Sequence, residues 1–412
     1  MALIVQKFGG SSLATPEHIR RVAKIIAETK KNNHRVVVVV SAMSGETDRL
    51  LNLAHETATM PQERELDALL ATGEQVSAAL VAIALKSMKI TARSYLGLQL
   101  PLLTDEQHTR ARIIKLSTEE LKKTLEQDIV PVVAGFQGVN SNGDITTLGR
   151  GGSDTSAVAL AAALQADLCE IHSDVDGVYT ADPAICPRAR HLGQLTYGEM
   201  LEMADMGAKI LQIRSVELAR KFKVPLLIKS SFGSDKCTWI VEEEKRDMES
   251  AVISGIILSH NEAKLSVIRV PDRPGVAYQI LSPLADASIN VDMIIQNASI
   301  DGYTDFTFTV PKTDLSKTRE LVEKVLPKIG ARELCTDDGI VKISAVGLGI
   351  KNCPGVAARM FQALANEGIN IQMISTSDIR LSCVVEAKYG ELAVRVLHDV
   401  FGLEKNNSFN PA

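Results

Sequence analysis

At 412 residues the chain exceeds the usual single hydrophobic core, so two or more domains are expected. A formal net charge of −5 with 4% aromatic residues excludes both a basic footprint and a stacking platform for nucleic acid. Six scattered cysteines without a C-x-x-C pair exclude a disulfide frame and a zinc site, and they read as reduced thiols in a cytoplasmic protein.

Taken in order, Ala2 to Phe8 is predicted as a short apolar strand that runs into a turn at Gly9, Gly10, Ser11 and Ser12. Pro16 opens an amphipathic helix to about Lys31, with Ile19, Val22, Ile25 and Ile26 at helical spacing. Arg35 to Val40 is a β-branched run, as a strand buried on both faces requires, and it leads into Ser41 to Gly45 and a further helix. Gln62 to Met88 reads as helix interrupted at Gly73-Glu74, its apolar stretch near Ala78 to Leu85 being helix core and no membrane span. The N-terminal residues carry no basic leader of the secretory kind.

Ile129 to Ala134 is another buried strand, and Gly135 to Thr147 a hairpin turning at Asn142-Gly143. The decapeptide Thr146 to Thr155 (TTLGRGGSDT) then feeds a helix through three glycines, leaving backbone N–H groups aimed at one spot. Anion binding is one reading of it; a plain glycine turn with Ser153 or Asp154 as N-cap is the other. Strands at Leu168 to Ser173 and Pro225 to Lys229 complete an alternation that predicts a three-layer, mostly parallel α/β domain. Ligands in such sheets sit beyond the carboxyl ends of the strands, where the turns after Phe8, Val40, Ala134 and His172 all fall.

Composition changes at the acidic run Glu242 to Glu249, after which an internal repeat begins. Pro274-Gly-Val-Ala277 recurs as Pro354-Gly-Val-Ala357, and Ile289 to Ile294 (INVDMI) as Ile369 to Ile374 (INIQMI), both 80 residues later. Two copies of a small α+β module fit this period. The first copy supplies strand Leu265–Val270, a helix from Gly275, strands Ile289–Ile295 and Asp305–Val310, helix Asp314–Pro327 and strand Arg332–Thr336. The second runs Val341–Val346, a helix from Gly355, Ile369–Thr376, Arg380–Ala387 and helix Gly390–Phe401, and lacks a fourth strand. Ala251 to Leu258 is strand-like and unassigned, so it is expected to complete the second sheet, with the first copy inserted inside the second.

The expected boundaries are therefore 1–240 for the α/β domain, 241–250 for a linker, 263–338 for the first module, and 251–262 with 339–405 for the second.

No G-x-x-x-x-G-K-[ST], no G-x-G-x-x-G after the first strand, no G-x-S-x-G and no metal-ligand spacing is present. What remains are turns suited to two anions. Lys7 stands beside the amides of Gly9 and Gly10, Ser41 and Thr47 add hydroxyls at a helix start, and Arg150 offers a planar fork. Ser173-Asp174, Tyr179 and Asp182 line a polar loop able to dock a base and ribose. Lys209 lies in an apolar helix, either as a phosphate ligand or as a snorkelling surface lysine.

Together KFGGSS, SAMSGET, Gly73-Glu74, GFQG, TTLGRGGSDTSA, SDVDGVYTADP, GAKILQIRSVE and the PGVA…INVDMIIQN repeats resemble the bacterial monofunctional aspartokinases over nearly the whole chain. The resemblance implies an amino-acid-kinase fold joined to two ferredoxin-like ACT domains, and transfer of the ATP γ-phosphoryl group, with Mg²⁺, to the side chain of L-aspartate. It places Lys7, Phe8, Gly9, Gly10, Ser41, Ser173, Asp174, Tyr179, Asp182 and Lys209 around ATP. Thr47, Glu74, Arg150, Gly151, Gly152 and Ser153 would hold aspartate, Arg150 on a carboxylate and Glu74 toward the ammonium, while Asp154 organises Lys7 and Lys209. Lys7, Arg150, Asp154 and Lys209 are its catalytic set, with no protein-held metal site.

In the ACT modules it implies lysine, threonine or both as effectors, bound by Asp272, Arg273, Gly275, Ala277, Gln296 and Asn297, and by Pro354, Gly355, Asn370 and Ile371. It also implies oligomers built through the modules, and Met248 lies where some relatives begin a separate regulatory subunit. Ser11, where Thr is commoner, and Ile350 to Cys353 depart from the family pattern. Rival readings are a kinase for another acid, such as glutamate or acetylglutamate, and a non-catalytic amino-acid sensor.

Overall fold

A computed structural model describes residues 1–100, 102–205, 210–242, 252–297, 301–353 and 355–405. Its residues separate into two compact units, 1–178 with 191–246 and 179–190 with 247–412.

In the first unit β1 (Leu3–Phe8), α1 (Pro16–Lys31), β2 (Arg35–Val40), α2 (Glu46–Thr57), α3 (Glu63–Leu70), α4 (Thr72–Ser87) and β3 (Ala92–Tyr95) come first. β4 (Leu102–Thr104), β5 (Ile113–Leu116), α5 (Glu119–Glu126), β6 (Val130–Ala134), β7 (Gln137–Val139), β8 (Ile145–Thr147), α6 (Gly152–Leu164) and β9 (Leu168–Ser173) follow. Then come β10 (Val178–Tyr179), which ends on the first residue of the second unit, β11 (His191–Leu192), β12 (Gln194–Thr196), α7 (Tyr197–Asp205), α8 (Ile213–Phe222), β13 (Leu226–Ser230) and β14 (Cys237–Val241).

Eight strands form one sheet in the order β12-β14-β13-β9-β1-β2-β6-β3, in which β13 to β3 all run parallel. The order turns at β1, with β2 on one side and β9 on the other, so the crevice of a doubly wound sheet opens there. Register aligns the ends: Phe8 pairs with Val40 and with His172, and Val40 with Ala134. Four turns therefore emerge level along one edge.

One face is covered by α1 and α4. Helix α1 starts where Thr15 Oγ1 accepts from the His18 N–H at 3.3 Å with Pro16 next, and it buries Ile19, Val22, Ala23 and Ile26. These pack on Phe8, Val36, Val38 and Val40, each worth about 1.5–3 kcal/mol as a fully buried large side chain. The other face takes α6, which is buried along almost its whole length. The alternation of β1 thus sends Phe8 into the α1 layer and Lys7 toward α6.

Two details differ from the sequence reading. The α3–α4 run, Glu63–Ser87, is long and apolar enough by length and composition to span a bilayer, although 56% of its apolar window is buried inside the protein. Its break falls at Ala71, two residues before Gly73-Glu74, which lie inside α4. The segment from Leu96 to Ile113, read without structure, carries β4, which joins β5, β7 and β8 in a separate four-stranded sheet, β5-β4-β7-β8.

The second unit contains β15 (Val252–Ser259), β16 (Ala263–Pro271), α9 (Val276–Asp286), β17 (Ile294–Gln296), β18 (Tyr303–Val310), α10 (Leu315–Glu323), α11 (Leu326–Ile329) and β19 (Glu333–Asp337). It continues with β20 (Ile340–Leu348), α12 (Val356–Asn366), β21 (Met373–Thr376), β22 (Arg380–Glu386) and α13 (Gly390–Val400). Two four-stranded sheets result, β17-β18-β16-β19 and β15-β20-β22-β21. Strand β15 pairs antiparallel with β20, Ile256 opposite Ala345. Residues 289–293 and 369–372, expected to open strands, are not strand, and β17 and β21 begin after them.

The repeat is visible in the packing. Met293 and Met373 are both buried in one small cluster with Ile340 and Val384, while Ile294 and Ile374 are 50% and 43% exposed. Lys342, only 2% exposed, is held by Glu262 at 2.8 Å and by Asp292 of the first module. The segment Tyr179–Arg190, expected within the α/β domain, belongs by its packing to the second unit. Its Ala181 and Cys186 sit in the same core cluster as Ile256, Leu397 and Phe401, and Ile256 N–H donates to Thr180 O at 2.7 Å.

Candidate active site

The level edge of β1, β2, β6 and β9 brings the glycine turns into mutual contact. Lys7 Nζ lies 2.6 Å from Asp154 Oδ1, and both side chains are about nine-tenths buried, at 11% and 10% exposure. This pair spans from the last turn of β1 to the first turn of α6. Gly9 follows directly, its N–H donating to His172 O at 3.1 Å, so that a Cβ there would stand 3.5 Å from Lys7 Nζ.

Helix α6 starts as the sequence demands but with a different cap. Gly151, at φ +71, is the N-cap, a left-handed conformation that a side chain would resist, and neither Ser153 nor Asp154 caps the helix. Both acidic and hydroxyl side chains are thereby left for other partners. The first turn of α6 also carries the N–H groups that a helix cannot pair internally, beside a cationic side chain. Arg150 is exposed at the rim of this turn. Gly135 closes the floor: a Cβ there would come within 3.0 Å of Ser153 Cβ and of Val40 O.

A second group lies on the β2 side. Glu74, 3% exposed, accepts from Ala42 N–H at 3.0 Å through Oε1, while Oε2 is buried with no hydrogen-bond partner among the described residues. Burial pushes its carboxyl up to about 7, against the lowering effect of the Ala42 N–H. Ser41 is half-buried and its N–H is spent on Phe8 O. Thr47 is half-buried in the first turn of α2, beside the exposed Glu46–Arg49 ion pair.

Several expected nucleotide residues are placed less directly. The Phe8 ring is fully buried and stacked on His172 at 4.6 Å, so it can act only as floor. Ser173 is half-buried, with Oγ accepting from Val175 N–H at 3.2 Å, and Asp174 is exposed after it. Tyr179 and Asp182 lie in the segment that packs with the second unit, and Asp182 Oδ1 accepts from Ala184 N–H at 2.9 Å. Lys209 lies outside the described residues, as does Pro354.

In the repeated modules, Asp272 N–H donates to Gly302 O at 2.9 Å and Arg273 N–H to Pro271 O at 3.0 Å, and Gly275 and Gly355 cap α9 and α12. Ala277 and Ile371 are half-buried, whereas Gln296, Asn297 and Asn370 are exposed at the ends of loops and strands.

Sequence reasoning missed the scaffold under these groups. Asp67, fully buried, accepts from Thr147 Oγ1 at 2.5 Å, His108 Nδ1 at 2.8 Å and Thr109 N–H at 3.0 Å. Arg214 donates to Leu148 O at 2.6 Å and Ala111 O at 3.0 Å, and Gln212 packs so closely that a Cβ on Gly151 would collide with its Cγ. An aspartate inside the apolar-patterned α3 was the only signal.

Comparison with known proteins bears on the family and the fold. The model of the amino acid kinase family matches residues 2–230, and ACT-domain models match 265–327 and 343–401. An aspartokinase of Pseudomonas aeruginosa is 53% identical over 405 residues, covering 98% of each chain. The solved structure of E. coli aspartokinase III in complex with lysine and aspartate is 25% identical at a TM-score of 0.75, covering 96% of this chain and 99% of that one. The same E. coli protein in complex with aspartate and ADP shares the fold at TM-score 0.82, with 24% identity and coverage of 97% and 100%. Full-length identity at this level, with one kinase domain and two ACT domains in order, makes the chain a member of the aspartokinase family.

Proposed function

We propose that the protein transfers the γ-phosphoryl group of ATP to the side-chain carboxylate of L-aspartate, giving 4-phospho-L-aspartate and ADP. The observation that carries this reading is the buried Lys7–Asp154 pair set against the glycine turn at the start of α6. An aspartate side chain is already ionised at neutral pH, its pKa being about 4, so no general base is required. One carboxylate oxygen attacks the γ-phosphorus as the bond to the bridging oxygen of ADP breaks.

Catalysis then consists of holding two anions together and neutralising charge on the moving group. Lys7 and the amide of Gly10 serve the phosphoryl oxygens, with Lys209 as a second cation, while the Gly9 N–H, expected as a further donor, is taken by His172 O and leaves Gly9 to give close approach. Asp154 keeps the lysines in place and takes no proton. Arg150 and Ser153 hold the carboxylates of aspartate, Thr47 a polar edge, and Glu74 its ammonium. Mg²⁺ would reach the site on the nucleotide's phosphates.

We assign residues 1–240 to the kinase domain, 241–250 to the linker, 263–338 to the first ACT domain, and 251–262 with 339–405 to the second. The antiparallel pairing of β15 with β20 supports the insertion. The exposed Ile294 and Ile374 on edge strands β17 and β21 support assembly through the modules, as a homodimer or higher oligomer, or with a regulatory subunit starting near Met248. Feedback by lysine, threonine or both, and a cytoplasmic role at the head of lysine, threonine and methionine synthesis, complete the proposal.

Release of ADP measured with aspartate, glutamate and acetylglutamate tests the activity. Turnover on aspartate alone is expected; equal turnover on another acid, or none, overturns it. Titrating that rate with lysine and threonine, singly and together, tests the regulation.

A further inference from the structure

We infer that Asp67 is a positioning residue that fixes the span between Glu74 and Arg150, and with it the affinity for the amino-acid substrate. This rests on the assignment of those two residues to aspartate. Asp67 lies seven positions before Glu74 on the same helical run, and its carboxylate reaches across to the turn that carries Arg150. Thr147, three residues before Arg150, donates its hydroxyl to Asp67 Oδ1 at 2.5 Å.

The remaining lone pairs of the same carboxylate hold the loop beneath that turn. Thr109 N–H donates to both oxygens at 3.1 and 3.0 Å, and His108 Nδ1 to Oδ2 at 2.8 Å. Thr109 sits at φ +64, where a β-branched residue stays only if its surroundings hold it. Its carbonyl in turn lies under Gly149, whose Cβ would approach it to 3.0 Å. Arg214 closes the block from α8 by bonding Leu148 O and Ala111 O, and Ala111 N–H donates to Thr147 O at 2.9 Å.

A fully buried carboxylate with every donor accounted for has a fixed position, and here both substrate-facing elements are tied to it. Loss of the Thr147 bond lets the arginine turn move relative to Glu74 without touching Lys7 or Asp154. The geometry therefore separates the amino-acid end of the site from its phosphoryl end.

The test compares the full-length enzyme with Thr147→Val, Thr147→Ser and Asp67→Asn. Thr147→Val deletes the hydroxyl at nearly constant volume and is expected to raise KM for aspartate about ten-fold, the cost of one charge-assisted hydrogen bond, with KM for ATP changed less than about two-fold. Thr147→Ser keeps the hydroxyl and is expected to restore KM. Asp67→Asn, which sets an NH2 donor against groups that themselves donate, is expected to exceed Thr147→Val in the same direction. Should Thr147→Val lower the melting temperature while both KM values stay put, or raise both equally, the inference is overturned. A wild-type enzyme inactive on aspartate would overturn the functional assignment instead.

Discussion

Lys7 Nζ and Asp154 Oδ1 meet at 2.6 Å between two elements that the sequence separates by more than a hundred residues. In the proposed mechanism the pairing joins the strand of the phosphoryl-binding cation to the helix whose first turn holds the substrate. A buried charge whose partner is removed costs far more than the pair contributes, about 3–5 kcal/mol in stability. Asp154→Ala should therefore lower both melting temperature and turnover. Lys7→Ala should lower turnover by about 10²–10³-fold or more, as loss of a preorganised charge does elsewhere. Steady-state ADP release checks both, and a Lys7→Ala enzyme with near-normal turnover would remove the lysine from the mechanism.

Glu74 makes a signed prediction about pH. Its folded pKa of about 7 stands above the ordinary 4.5, so the native state holds a proton that the unfolded state has lost between those values. Its contribution therefore falls as pH rises through that window, by about 3 kcal/mol in all at 1.36 kcal/mol per unit. Glu74→Gln should gain stability relative to wild type from pH 4.5 to 7 and hold the gain above, as read by denaturant unfolding at each pH. With Glu74 assigned to the substrate ammonium as proposed, aspartate binding moves the same equilibrium the other way, since a cation beside the carboxyl favours the ionised form. KM for aspartate should then fall as pH rises through 7, and in Glu74→Gln be high and flat.

What the sequence made legible follows from how local each signal is. The runs at Leu3–Phe8, Arg35–Val40 and Leu168–Ser173, and the glycine turn into α6, are determined by their own composition, and the structure has them within a residue or two. The internal repeat could be read because duplication preserves spacing. By contrast β3, β4 and β5 are three or four residues long and become strands through their neighbours, Leu103 pairing with Val139 in β7. Gly151 as N-cap in place of Ser153 or Asp154 depends on Gln212, 61 residues away, occupying the space a side chain would need. Asp67 and Arg214 work through donors and carbonyls distant in the chain, which no periodicity reveals. The Tyr179–Arg190 segment carries a nucleotide-like pattern, yet its apolar members Ala181 and Cys186 found their core in the second unit.

Gly135 gives a test of the site's floor that leaves every charged group in place. A methyl group there meets Ser153 Cβ and Val40 O, both at 3.0 Å, and the carbonyl belongs to a central strand that cannot shift. Gly135→Ala is expected to push Ser153 outward, raising KM for aspartate about ten-fold with a stability loss of about 1–3 kcal/mol. Kinetics beside thermal unfolding checks this. An unchanged KM would place Ser153 away from the substrate.

His398 provides the last prediction. It is fully buried in α13, its Nε2 2.9 Å from Thr180 Oγ1, and Nδ1 has no hydrogen-bond partner among the described residues. Thr180 is held in turn, since its hydroxyl oxygen accepts Arg190 N–H at 2.8 Å and its carbonyl accepts from Ile256. Burial holds the imidazole below its ordinary 6.5; Asp399 and Glu404 oppose that shift, and Arg190 and Arg188 add to it. The folded state therefore keeps the ring neutral while the unfolded chain takes up a proton, and stability is lost as pH falls below 6.5. His398→Gln keeps a polar partner for Thr180 and removes the titration. It should unfold with a weaker acid dependence than wild type between pH 7 and 5, followed by thermal denaturation of the full chain. His398→Ala should cost about 1–3 kcal/mol at neutral pH, because the Thr180 hydroxyl is left buried beside a void. Identical acid dependence in wild type and His398→Gln would show that another group governs the low-pH limb, and would release the Tyr179–Arg190 segment from this anchor.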